Sequence, residues 1–246
     1  MLTSDDLRRF LARLLGWTSF RAVDEALRSI ELATARRAHL VLRGTGDLVP
    51  VALALHRRTL GADRPFIVCD PRRRNTSASV RSPANHRSGI AALLAAAGGS
   101  LCVRDSRLPA DFSSMVSQLR STDNVQYIVC SVDDDESDPL LVVPAPIRLP
   151  SLTDRSRELP RIVDEYALDA IAALSAHHTC FTDRDRAWIL QYRASSLSEI
   201  EKATLRLVAL RTSANVSMAA EQLGMAPISL SRWAHRRRPP PILSAT

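Results

Sequence analysis

The chain has 246 residues, of which 46% are hydrophobic and 24% charged, a globular balance that excludes an intrinsically disordered polymer. The formal charge of +7 favours an anionic partner. Aromatics at 4% exclude a surface built chiefly from stacking platforms for single-stranded nucleic acid. No apolar run reaches the ~18–20 residues that a membrane span needs, and the N-terminus, with Asp5 and Asp6, lacks a signal-peptide pattern, so a cytoplasmic protein with no membrane partner is expected. A single lysine, Lys202, stands among 33 basic residues. It follows no glycine-rich turn, so a phosphate loop that works by lysine is absent from the sequence.

In chain order, helices are expected from Thr3 to Leu15, with Thr3 as cap, and from Val23 to Arg36. A strand at His39–Leu42 runs into Gly44-Thr45-Gly46-Asp47. Asp47 is a candidate N-cap for a helix ending near Thr59, with Pro50 in its first turn. A strand at Phe66–Cys69 precedes a basic, turn-rich loop, Pro71 to Arg87, which holds Arg72, Arg73, Arg74, Arg81 and Arg87. Those arginines read either as a solvated loop or as a phosphate-contacting or partner patch. Helix Ile90–Ala97, strand Leu101–Val103, helix Phe112–Leu119 and strand Val125–Cys130 continue the alternation. Such alternation implies a largely parallel sheet covered on both faces.

An acidic loop, Asp133 to Asp138, follows, and Pro144, Pro146 and Pro150 lead out of the α/β part. The remainder reads as all-helical: Arg161–Ala176, Thr182–Tyr192 behind a capping-box-like start, Ser196–Thr212 and two short helices, then a frayed Arg236–Pro241 tail. Cys69, Cys102 and Cys130 sit in apolar strand runs and read as buried thiols. With Cys180 they form no zinc-binding spacing, and His177-His178 reads as a solvated helix end. No metal and no cofactor are expected. Helix Ser196–Thr212 carries Leu197, Ile200, Thr204, Leu207, Val208 and Arg211 at three- and four-residue steps. That stripe fits either a dimer interface or packing against the chain's own helices.

The most informative segment is Asn215 to Trp233. Ala220 supplies a small residue inside a first helix and Gly224 a turn. Val216, Ala219, Leu223, Met225, Leu230 and Trp233 supply apolar positions that bury a crossing. Pro227 fits the first turn of the second helix. The pattern is that of a helix-turn-helix, with a plain helical hairpin as the alternative. In the first reading Ser217, Ala226, Pro227, Ser229, Ser231, Arg232, His235 and Arg236 are the candidate contacts to double-stranded DNA.

Asn215, Ala219, Ala220, Leu223, Gly224, Leu230 and Arg232 resemble the Fis-like domain that ends bacterial enhancer-binding activators of the AAA+ class. Pro227 and Ile228 depart from that pattern. Fragments of the ATPase pattern recur upstream in order: Gly44-Thr45-Gly46-Asp47 resembles the end of the phosphate loop, Gly98 to Asp105 the Walker B strand, and Leu149 to Arg155 with Leu159-Pro160 a later L-P-P-L-R-E-R…I-P segment. The resemblance implies a P-loop-like, AAA+-derived α/β domain over 1–150, a helical lid-like segment over 151–195 and a Fis-like helix-turn-helix domain over 196–246. It also implies involvement with an alternative sigma factor, although no sigma-gripping G-A-F-T-G-A loop is present.

At the degenerate nucleotide site (Gly44, Thr45, Gly46, Asp47, Arg104, Asp105) Asp47 replaces the lysine and Leu48 the metal-side residue. Arg104 replaces the Walker B aspartate, and the nucleotide-sensing arginine falls on Ser198. Gly44–Gly46 read alone is a tight strand-to-helix turn. The expectation is a bacterial DNA-binding transcription regulator with a non-hydrolysing body, acting as a homodimer or higher oligomer. One alternative is an NTP-binding protein with an atypical loop. Another is an adaptor whose AAA+-like body binds a true enhancer-binding ATPase.

Overall fold

The computed structural model describes residues 4–36, 38–78, 82–131 and 146–241. The Thr3 cap, Arg81 and the acidic loop 133–138 lie outside them. The chain divides into two compact units, 1–151 and 152–246.

The first unit begins with two helices, α1 (Ser4–Leu15) and α2 (Phe20–Arg36), which pack on each other. Leu7, Phe10, Leu11 and Leu14 of α1 are buried, as are Val23, Ala26, Leu27, Ile30 and Ala33 of α2. The α/β part then runs β1 (Leu40–Arg43), α3 (Val49–Thr59), β2 (Phe66–Cys69), β3 (Ala84–His86), α4 (Gly89–Ala95), β4 (Ser100–Arg104), α5 (Phe112–Arg120), β5 (Gln126–Ser131) and β6 (Ile147–Arg148). All six strands pair in parallel, in the order β3-β2-β4-β5-β1-β6.

Helices flank the sheet. Ala92, Leu93 and Ala96 of the α4 segment and Met115 and Leu119 of α5 share a cluster with Val41, Ile67, Leu101, Val103 and Tyr127. The alternate strand positions face α3, where His56 meets the Phe66 ring and hydrogen-bonds Ser100 Oγ at 2.8 Å. Burial on both faces explains the unbroken apolar runs Phe66–Cys69 of β2 and Tyr127–Cys130 within β5.

Two strands depart from the sequence reading. Ala84–His86, expected as loop, forms an edge strand beside β2. Asn85 anchors it: its side chain accepts from the Asp70 N–H at 3.0 Å and donates to the Arg74 carbonyl at 3.1 Å. Ile147–Arg148, expected as an exit from the sheet, pairs with β1. Each gains its place from a neighbouring strand and not from local periodicity.

In the second unit, α6 (Leu159–Ala173), α7 (Asp183–Tyr192), α8 (Leu197–Thr212), α9 (Val216–Gln222) and α10 (Pro227–Arg237) follow one another. Three of their starts are side-chain capped, that of α7 where the sequence predicts. Thr182 and Asp185 form a reciprocal capping box, and Ser196 and Asn215 accept from the N–H three residues on. One expectation is corrected and one open alternative is decided. Arg236 and Arg237 belong to α10 and not to a frayed tail. The α8 stripe is internal: Ile200, Thr204, Leu207 and Val208 are buried within the chain, and Arg211 is paired with Asp185. The stripe therefore packs against the chain's own helices and is not free to form a dimer interface. Among the described residues no helix is long and apolar enough to cross a membrane, and no group of three His, Cys, Asp or Glu is placed to hold a metal.

Candidate functional site

Parallel strands bring their carboxyl ends to one edge of the sheet, the edge where open α/β sheets bind ligands. Here β1 delivers Gly44 to Asp47, β2 delivers Asp70 and β4 delivers Arg104 and Asp105. Arg104 Nη2 donates to Asp47 Oδ1 at 2.8 Å, and Nη1 donates to Asp70 Oδ2 at 3.1 Å. Arg107 Nη1 donates to the same Asp70 oxygen at 3.0 Å. Asp70 is fully buried, and its Oδ1 accepts the Arg72 N–H at 3.0 Å. Burial pushes the Arg104 guanidinium down, but the hydrogen bond and charge of Asp47, aided by Asp70, outweigh it and raise its pKa. Arg104 is held charged.

Asp47 is not the N-cap of α3. Leu48 holds that position without a side-chain bond. Asp47 Oδ1 instead accepts the Val49 N–H at 3.2 Å, next to the first turn of α3. A helix N-terminus attracts anions through its free N–H groups and dipole. The Asp47 carboxylate supplies that anion from within the chain, and Arg104 supplies its counter-charge. Thr45 and Gly46 are exposed, Gly46 turns at φ +83°, a region costly for side-chain-bearing residues, and Leu48 is buried. Asp105 accepts the Ser106 N–H and opens a short 3-10 turn.

Sequence reading missed Asp70. Its signal is an acid that ends a fully apolar strand and precedes three arginines. Of the loop arginines, Arg73 Nε stands 3.8 Å from Asp70, and Arg87 Nε donates to the Pro71 carbonyl at 3.1 Å. Both therefore brace the loop locally, although they are exposed, as Arg72 and Arg74 are.

The second candidate site is the α9–α10 pair. Ala219, Ala220, Leu223 and Leu230 are buried together with Ala209 and Leu210 of α8, and Val216, Met225 and Trp233 pack at the margin. Gly224 turns the chain at φ +63°. Pro227 opens α10. Ser217, Ala226, Pro227, Ser229, Ser231, Arg232, His235 and Arg236 are all exposed. Among the described residues no salt bridge engages Arg232 or Arg236. Met218 and Ile228 add apolar exposure at 49% and 58%. Ser198, in the first turn of α8, is buried, with no partner for its hydroxyl.

No family model matches the chain, and no curated protein matches it. A solved structure is similar. NtrX from Brucella abortus shares 15% identity over 94% of this chain and 70% of that one, with a TM-score of 0.48.

Proposed function

We propose that this chain is a bacterial DNA-binding transcription regulator whose α/β body derives from an AAA+ ATPase and does not hydrolyse nucleotide. The observation that carries the reading is the α9–α10 pair: two short helices with a buried crossing, a positive-φ Gly224 turn and an outer face of small, polar and basic side chains. In this reading α9 and α10 form a Fis-like helix-turn-helix, and α10 enters the major groove. Ser217, Ala226, Pro227, Ser229 and Ser231 approach bases and sugar. Arg232, His235 and Arg236 reach phosphates or base edges.

The non-hydrolysing body is supported by the ion pairs at the sheet edge. Phosphoryl transfer depends on cations around the β- and γ-phosphates and on a carboxylate-held metal. In this reading Asp47, paired with Arg104 at 2.8 Å, stands in place of the cation that the phosphates need, and Arg104 in place of the anion that the metal needs. One short helix-turn-helix reads only a half-site, so we place the active form as a homodimer or higher oligomer. Pairing would use a surface other than the buried α8 stripe, and the α/β body remains available to a protein partner.

Fluorescence anisotropy of the full chain with labelled duplex from its host's promoters tests the reading. Binding should weaken steeply from about 50 to 200 mM salt. Salt-insensitive signal, or none on any duplex, sinks it.

A further inference from the structure

At the margin of the α9–α10 pair, two arginines lie over a pair of tryptophans in the second unit, and a third stands near them on α10. Trp188 of α7 and Trp233 of α10 meet edge to face, with ring centroids 5.9 Å apart. Arg193, just past α7, holds its guanidinium carbon 5.6 Å from the Trp188 centroid. Arg206 of α8 holds its own 5.1 Å from the Trp233 centroid. Arg237 lies one turn beyond Trp233 and shares its face of α10.

The acid beside them is Glu199. It stands 3.9 Å from Arg193 and is shared with Lys202 at 4.0 Å. That one carboxylate acts on Arg193, Lys202 and Arg206, while Arg237 adds a further positive charge beside Arg193 and Arg206. Arg193 is 14% exposed, and its Nε is buried with no hydrogen-bond partner. Burial lowers the pKa of both Arg193 and Arg206, and repulsion from Arg237 adds to it, against the pull of Glu199.

A guanidinium held over an indole keeps the N–H donors at its edge free. Buried donors without acceptors are costly, and uncompensated like charges are more so. An oxyanion with several acceptor oxygens relieves both. Phosphate suits arginine forks better than a single carboxylate does, because it offers oxygens in three directions to three guanidinium groups.

We propose that Arg193, Arg206 and Arg237 form a phosphate-group site against Trp188 and Trp233. The phosphate comes either from a duplex backbone or from a free phosphate-bearing molecule. None of these arginines belongs to the set assigned to DNA above, so the site stands whether or not α10 reads DNA.

The test uses the full chain carrying Trp17→Phe, which leaves Trp188 and Trp233 as the indole emitters. Inorganic pyrophosphate is titrated against matched sodium chloride, and duplex affinity is measured in parallel. A saturable emission change with pyrophosphate is expected. It should weaken by about tenfold in Arg206→Gln and in Arg237→Gln, the loss of one charge-assisted contact. Arg237 is exposed, so its variant keeps the fold even if Arg206→Gln does not.

If pyrophosphate saturates while duplex affinity ignores both variants, the ligand is a free phosphate compound. If pyrophosphate gives no change but both variants weaken duplex binding about tenfold, the ligand is a backbone phosphate. Saturation by pyrophosphate in a protein that binds no duplex upholds the site and overturns only the DNA reading. No saturation, with duplex affinity unchanged in Arg237→Gln, overturns the site.

Discussion

Arg104 and Asp47, 57 positions apart, are joined by a 2.8 Å ion pair across the carboxyl edge of the sheet. Arg104 ends β4 and Asp47 precedes α3, with β5 between their strands. The other arm of the same guanidinium takes the buried Asp70. One side chain therefore ties the end of β4 to the segments that follow β1 and β2.

Removing it leaves two carboxylates short of a partner. Arg104→Ala should destabilise the 1–151 unit by about 3 kcal/mol, the low end for a broken buried pair because Arg107 still faces Asp70. Arg104→Lys should recover only part of that, since one ammonium cannot span both acids. Urea unfolding at pH 7 reads both values. A wild-type midpoint in Arg104→Ala would show that the pair contributes nothing.

The Asp185–Arg211 pair makes the same demand on the second unit. Arg211 donates Nε to Asp185 Oδ2 at 2.7 Å and Nη2 to Oδ1 at 2.6 Å, with Asp185 fully buried. Asp185 also completes the capping box of α7. Arg211→Ala should cost about 3–5 kcal/mol. Circular dichroism melting should show the helical transition shifted down while the 1–151 transition stays in place.

Asp111 gives the fold an acid limit. Burial pushes its carboxyl up, but hydrogen bonds from Ser88 Oγ and from the N–H groups of Gly89 and Ile90 outweigh this and lower its pKa. A lowered folded value means that the carboxylate contributes stability above its unfolded pKa, about 3.9. That contribution fades as pH falls below about 4 and through the folded value. Asp111→Asn should cost about 1 kcal/mol at pH 7 and nothing in the acid range. Equal losses at pH 7 and pH 2.5 would contradict the assignment.

Thiol labelling should separate the cysteines. Burial first, then the charges of Asp111 and Asp70 and nearby Cys102, push the Cys69 thiol up to about 12. Cys102 and Cys130 are equally covered, whereas Cys180 is partly exposed. At pH 8 one thiol per chain should react in the native state, and Cys180→Ser should abolish that fraction. Fast reaction of a second thiol would mean that the sheet opens readily.

Arg232→Ala should weaken duplex binding by about 1–3 kcal/mol if it meets a base, with relaxed preference at one position. A phosphate contact would instead lower affinity evenly across sequences and reduce the salt slope by about one. Competition anisotropy with single-position operator variants distinguishes them. Unchanged affinity would remove Arg232 from the interface.

The sequence by itself determined the elements that rest on local chemistry. Apolar runs such as Phe66–Cys69 announced strands buried on both faces. Thr182 marked a helix start, because a hydroxyl oxygen capping an N–H three residues on is a local contact. The α9–α10 pattern was legible for the same reason: its small residue, turn glycine and apolar offsets all fall within one short segment. The tertiary structure alone decided what depends on distant partners. Two- and three-residue strands at Ile147 and Ala84 exist because a neighbouring strand offers hydrogen bonds. The α8 stripe is internal because α6 and α7 cover it. Arg104 reads in sequence as a lesion at a metal site. In the fold it is an anchor, because burial makes an arginine tolerable only beside acids, and those acids come from two other strand ends.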